Sequence, residues 1–362
     1  MRLKDRDTDF IIIGENIHTT RVLMRRGKLV TTTEDGVDAI RYRTADGEAR
    51  LLPISEEALK TQDYEEGRVK HMKIAIQAAM FGNAEKSREG MAYLRRQVQR
   101  QEAAGADFLD LNVDEISIKL DEQKEAIAWL VGAVQGMTNL PVSVDSSNSE
   151  VIESGLEATD RGGIRGNPML NSASLERIEA LDMVVEFNAR VVVTASGESG
   201  MPQTAEERVT NASQVIDRAL EKGIPAGDMF VDPLYFPVSV DSSFGLHAFE
   251  SIRQIRAKYG PDIHISGGMS NISFGIPARK MINDVFMIIA VEAGADGGII
   301  DPVSSRPDEV FSLDRESVPY KLAEDVLMGR DEHCAKYIGA WRKGELGDSL
   351  PQPRARKRKK KV

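Results

Sequence analysis

Short apolar runs that close on a polar or acidic residue recur along this 362-residue chain. The first is Phe10-Ile11-Ile12-Ile13-Gly14, closed by Glu15 and Asn16. Runs of the same kind follow at residues 108–113, 141–145, 168–171, 190–194, 229–233, 263–266 and 298–302. Each is continuously apolar rather than alternating, the pattern of a parallel strand buried on both faces. Amphipathic spacing between them predicts helices near 119–135, 149–158, 175–187, 204–222 and 246–258, and one starting near 277. Eight strand–helix units with right-handed crossovers close into an α/β fold, the (β/α)8 or TIM barrel. A doubly wound open sheet would carry a glycine-rich fingerprint after its first strand, and Gly14-Glu15-Asn16 is not one.

Two stretches break the repeat. Residues 29–33, 37–43 and 49–53 are short β-prone runs separated by Asp35-Gly36 and Asp46-Gly47, both hairpin signals, so residues 20–54 are expected to be a small inserted β-meander. A helical stretch over 65–104 is broken near Phe81-Gly82-Asn83 and ends at Gly105, placed as a C-cap. The expected organisation is a barrel over 1–330 that includes the meander, a helical extension over 331–349, and a basic tail over 350–362. The tail sequence RARKRKKK repels itself and has nothing to bury, so it is expected to be disordered.

Composition narrows the function classes. The net charge is −10 despite that tail, which makes the body more acidic still and argues against a nucleic-acid binder. No apolar run reaches about 18 residues and no signal-peptide pattern opens the chain, so a soluble cytoplasmic protein with no membrane partner is expected. The one cysteine, Cys334, excludes intramolecular disulfides and Cys-clustered zinc or iron–sulfur sites, and a buried inert thiol is expected.

The residues that close the strands carry the candidate chemistry. In order they are Glu15/Asn16, Asp110/Asn112, Asp145, Asn171, Thr194/Ser196, Asp232, Asn271 and Asp301. In a barrel of this kind the C-terminal strand ends converge on one mouth. A ring of carboxylates and carboxamides suits a ligand rich in N–H donors and ring nitrogens, and repels a phosphate. Turn formation accounts for two or three such positions, not for all of them. Asp110, Asp145 and Asp232 could accept Mg²⁺ or Mn²⁺, but nothing in their spacing favours it, and no metal is expected. His247 and His264 read as helix-face and strand residues, and His18 as surface or structural. A flexible Gly267-Gly268 turn is expected to follow the seventh strand and present Asn271.

As a set, the motifs resemble the methyltetrahydrofolate:corrinoid methyltransferases, members of the pterin-binding barrel superfamily that includes dihydropteroate synthase. The resemblance is carried by IIIGENIH (Ile11–His18), GADFLDLNV (105–113), PVSVDSSNSEVIESGL (141–156), NPMLNSAS (167–174), SGMPQTAEER (199–208), FVDPLYFPVSV (230–240), GGMSNISFGIPARKMIN (267–283) and AGADGGIIDP (293–302). It implies that Asp145, Asn171 and Asp232 hold the pterin ring, that Asn271 lies beside the methyl-bearing N5, and that Asp110 and Asn112 support them. It further implies methyl transfer between tetrahydrofolate and the cobalt of a cobalamin-type corrinoid on a separate partner protein, in an undetermined direction, by a homodimer. The meander and the basic tail are departures from the family pattern, as is Thr194-Ala195-Ser196-Gly197, where the family more often has Met-Asn. Two other readings stand beside this one: a dihydropteroate synthase-like enzyme, and a non-catalytic folate-binding scaffold of a corrinoid complex.

Overall fold

A computed structural model describes residues 9–160, 163–198 and 200–347. The predicted tail over 350–362 lies outside them. Eight parallel strands form one sheet: β1 Ile11–His18, β2 Phe108–Asn112, β3 Val142–Asp145, β4 Met169–Ala173, β5 Arg190–Thr194, β6 Met229–Asp232, β7 His264–Ile265 and β8 Gly297–Ile300. Strands β1 to β7 neighbour in sequence order and β8 returns beside β1. A parallel bridge between Gly268 and Ile299, with Ile299 N–H donating to the Gly267 carbonyl at 2.9 Å, joins β7 to β8 and closes the barrel. The fold is the TIM barrel that the repeat predicts.

Side chains fill the lumen. Ile13, Phe108, Met169, Val192, Phe230 and Ile299 form a separate buried cluster inside the strands. The opposite strand faces pack against the helices in a second, larger core. These helices are α1 His71–Phe81, α2 Ala84–Ala103, α3 Leu120–Gln135, α4 Ser149–Glu157, α5 Ala180–Phe187, α6 Ala205–Glu221, α7 Phe244–Tyr259, α8 Arg279–Ala293, α9 Val318–Leu327 and α10 Ala335–Lys343. Three of them start at side-chain caps: Asn83 accepts from Lys86 N–H, Asn148 accepts from Glu150 N–H, and Thr204 and Glu207 form a reciprocal capping box.

Residues Val30–Thr32, Asp38–Arg43 and Ala49–Pro53 pair as a three-stranded antiparallel sheet. It is tied into the barrel core, where Ile40 and Leu52 are fully buried. Cys334 is buried beside Asp331, and burial followed by that carboxylate pushes its thiol up to about 11.

Two local expectations are corrected. Strand β7 is two residues long, so Asn271 sits in the 3-10 turn Met269–Ser273 and not at a strand end. The Gly267-Gly268 turn is tight rather than flexible. At Gly267, with φ +119°, a Cβ would lie 2.4 Å from Asp232 Oδ1, so the glycine is required by close approach of backbone to carboxylate.

Candidate active site

The strand ends gather their polar side chains into several hydrogen-bonded groups at the C-terminal mouth. Strand β1 shifts register against β2 between Gly14 and Ile17, and the charges of Glu15 and His18 act on each other and on Asp110. His18 Nε2 lies 2.8 Å from Asp110 Oδ2. Asn171 Nδ2 donates to the other Asp110 oxygen at 3.3 Å. Asn112 Nδ2 donates to Asp145 Oδ2 at 2.9 Å, and Asn112 Oδ1 accepts the Asp114 N–H at 3.0 Å. Asp110 is fully buried, while Asp145 is partly open. Asp110 and Asn112 therefore stand behind Asn171 and Asp145 and fix how those two present themselves.

Across the mouth, Asp232 is held by backbone donors. Leu234 N–H reaches Oδ1 at 2.7 Å and Gly268 N–H reaches Oδ2 at 3.4 Å. Behind it lies Arg208, fully buried, with Nε and both terminal nitrogens unpartnered and its guanidinium 4.8 Å from the Phe236 ring and 5.8 Å from the Phe244 ring. Asn271 is exposed beside Gly268, and its carboxamide makes no hydrogen bond among the described residues. Thr194 and Ser196 engage one another at 3.1 Å. On the β8–β1 side, Arg21 bridges Glu15 at 3.2 Å and Asp301 at 2.8 Å, while Asn16 donates to Asp301 at 2.8 Å.

Burial and these neighbours set the charges. Burial opposes the His18 imidazolium, but Asp110, Asp145 and Glu15 outweigh it and hold the ring at about 9. Burial and then Asp110 push the Asp145 carboxyl up, against the pull of His18. Burial raises Asp232 to about 6, opposed by the Leu234 and Gly268 N–H groups and by Arg208. Burial likewise raises Glu15, against Arg21. Asp301 stays low despite burial because Arg21, Asn16 and Ser304 favour its charge.

Nitrogen and oxygen atoms of His18, Asp110 and Asp145 lie within 4.8 Å of one another, the group among the described residues that could hold a metal ion. With no cation bound, the neighbouring carboxylates favour the protonated His18 ring, and a cation entering the trio would have to displace that proton. A partly open carboxylate at Asp145 and a buried one at Asp232, with carboxamides at Asn171 and Asn271, form an acceptor-rich cup. It can grip a planar heterocycle by its N–H edge.

Asp145, Asn171, Asp232, Asp110 and Asn112 thus share one mouth, with Asn271 at its rim. Three further residues at the mouth leave little local signal in the sequence. His18, which reads there as surface or structural, has its ring 2.8 Å from Asp110; its position three residues past Glu15 is the available signal. Arg21 was not singled out, and reaches the mouth only because the chain turns back after β1. Arg208 lies in a quoted motif, but nothing local shows that it becomes a buried cation.

The pterin binding enzyme family matches residues 83–301, more than half of the chain. A methylcorrinoid:tetrahydrofolate methyltransferase from Eubacterium limosum is 27% identical over 259 residues, covering 71% of this chain and 89% of that protein. Methionine synthase from Mycobacterium leprae (strain TN) is 28% identical over 229 residues, which span 58% of this chain and 18% of that much longer protein. Among solved structures, dihydropteroate synthase from Xanthomonas albilineans in complex with 7,8-dihydropteroate superimposes with a TM-score of 0.48 at 18% identity, covering 62% of this chain and 84% of that one.

Proposed function

The chain belongs to the pterin-binding enzyme family, and on that premise we propose that it is a methyltransferase moving a methyl group between N5 of tetrahydrofolate and the cobalt of a corrinoid protein. The observation that carries this is the cup of Asp145, Asn171 and Asp232 facing an Asn271 whose carboxamide is unengaged. In this reading the carboxylates accept the pterin's 2-amino and N3–H hydrogens, and Asn171, tethered to Asp110, offers its remaining amide capacity to the ring. Asp110 and Asn112 are positioning residues.

Demethylating N5 leaves negative charge on a nitrogen, and a donor aimed there stabilises the transition state more than the ground state. Asn271 has that donor free, because no acceptor among the described residues consumes it. By microscopic reversibility the same bond serves the direction named for the Eubacterium limosum relative, corrinoid to folate. The corrinoid is a co-substrate brought by the partner. Exposed apolar side chains on the loops after β2, β5, β6 and β7 (Ile118, Met201, Val240 and Phe274) support an approach of that partner over the mouth.

The reading needs no protein-held metal ion. A homodimer belongs to it on the family resemblance alone; a cytoplasmic setting follows from the lack of an apolar span and of a signal pattern in the sequence, and the division into residues 1–330, with the 20–54 meander, and a helical extension at 331–349 from the strand repeat and its hairpin signals. No helix among the described residues is long and apolar enough to cross a membrane.

Incubation with methyltetrahydrofolate and Co(I) cobalamin, or with tetrahydrofolate and methylcobalamin, is expected to transfer the methyl group, followed by the cobalamin absorbance. Asn271→Ala should lower that rate by about 10²–10³ while folate affinity changes little. No turnover in either direction, with free cobalamin or the cognate carrier, sinks the proposal; an undiminished Asn271→Ala rate removes that residue from the chemistry.

A further inference from the structure

We propose that Arg208 is a positioning residue of the folate site: sealed behind Asp232 without a partner of its own, its fixed positive charge holds that carboxylate in the ionised form that accepts the pterin's N–H edge. This deepens the folate reading above and rests on it.

Arg208 stands in the first turn of α6, just past the Thr204 cap. It is completely enclosed, and Nε and both terminal nitrogens lack a hydrogen-bond partner among the described residues. Phe236, from the loop after β6, and Phe244, at the start of α7, cover the guanidinium, and their two rings meet edge-on with centroids 5.3 Å apart. The faces of such rings recover part of the cost of burying a cation. An apolar side chain of similar volume would fill the same space at less cost still. A charge kept against stability points to a task for the charge itself.

Asp232 supplies the task. Burial pulls the guanidinium down to about 10, against the attraction of Asp232, so it remains charged at neutral pH. Burial raises Asp232 in turn, and Arg208 opposes that rise. The other side chains around Asp232 bring no charge. Thr194 flanks it on β5, Gly267 and Gly268 approach it from the β7 side, and the Tyr235 phenol, pushed up by burial and by Asp232, stays neutral and donates to the Ser266 carbonyl at 2.6 Å. Orientation and charge are thereby divided. The Leu234 and Gly268 N–H groups aim the carboxylate, while Arg208 favours its ionised form without taking a lone pair. A direct ion pair would occupy the oxygens that the pterin needs.

The test measures tetrahydrofolate affinity of the full chain by calorimetry at pH 6 and pH 8, together with urea unfolding. Arg208→Met fills the space without the charge. The rise of affinity through about pH 6 should move up by about one pH unit, which weakens binding about fivefold at pH 6 and by less than about 1.5-fold at pH 8. Its urea midpoint should be unchanged or higher. Arg208→Lys keeps a cation and should retain the wild-type pH profile. A side chain that served packing alone would weaken binding alike at both pH values and lower the midpoint. That result, an unmoved profile in Arg208→Met, a profile in Arg208→Lys that moves as far as in Arg208→Met, or an Arg208→Met chain that does not fold overturns the role of Arg208 while the folate reading stands. A wild-type protein that binds no tetrahydrofolate at either pH overturns both.

Discussion

At His18 a single ring meets the charges of three carboxylates contributed by β1, β2 and β3. The group is raised from 6.5 to about 9, so its stabilising effect is complete below its ordinary value and is lost as pH climbs through about 9. Buried Asp232 acts at the other end of the range. Raised from 3.8 to about 6, it becomes an ionised acceptor only as pH rises through that value, and its ionisation opposes folding there. Tetrahydrofolate affinity is therefore expected to strengthen through about pH 6 and to fall again near pH 9, when the neutral ring leaves Asp110 and Asp145 facing each other uncompensated. Titration calorimetry across pH 5–10 checks this. His18→Asn should lose the alkaline limb and keep the acidic one; an unchanged alkaline limb in that variant removes His18 from the charge balance.

Among the elements, α1 and α2 show why spacing alone under-describes a helical hairpin. The break at Gly82 and the Asn83 cap are visible as local signals, but the closeness of the two helices is not. At Gly90 an added Cβ would lie 2.6 Å from the Ala75 carbonyl oxygen and from Ala79 N, so the backbones press together there. Gly90→Val should destabilise the fold by about 1–3 kcal/mol or more through overpacking. The expected readout is a lower urea midpoint with unchanged methyl transfer per folded molecule, and an unshifted midpoint would show that the hairpin can spread. Helix α5 differs from its predicted span for a related reason. It begins at Ala180 rather than near 175, because Arg177 reaches back to the Ser146 carbonyl at 3.1 Å and to Ser172 Oγ at 3.1 Å. That ties the preceding loop to the mouth.

For the whole molecule, the inserted sheet is a wall of the barrel and not an ornament on it. Tyr42 packs edge-on against Tyr93 of α2 with ring centroids 5.0 Å apart, and Arg50 pairs with Glu89 of the same helix at 2.8 Å. Ile40, Leu52 and Ile54 are buried in the main core. Burying each such side chain contributes roughly 1.5–3 kcal/mol, and three together approach the net stability of an ordinary domain, about 5–15 kcal/mol. Replacing residues 20–54 with a short linker is expected to yield protein without a cooperative thermal transition by circular dichroism. A deletion that melts at the wild-type temperature would show the sheet to be dispensable.

Local chemistry in the chain determined the alternation of strand and helix, the barrel it implies and the polar character of every strand end, because burial on two faces and turn formation act over a few residues. It also named Asp110, Asn112, Asp145, Asn171 and Asp232, which the fold brings into one mouth. Only the tertiary structure decided that His18 of β1 meets Asp110 of β2 at 2.8 Å, that Arg208 is enclosed by aromatic rings with its nitrogens unmatched, and that Arg279 shares a cavity wall with Glu15 and Asp301. Those outcomes depend on which distant surfaces meet, and contacts between residues far apart in the chain leave no period or spacing in the sequence.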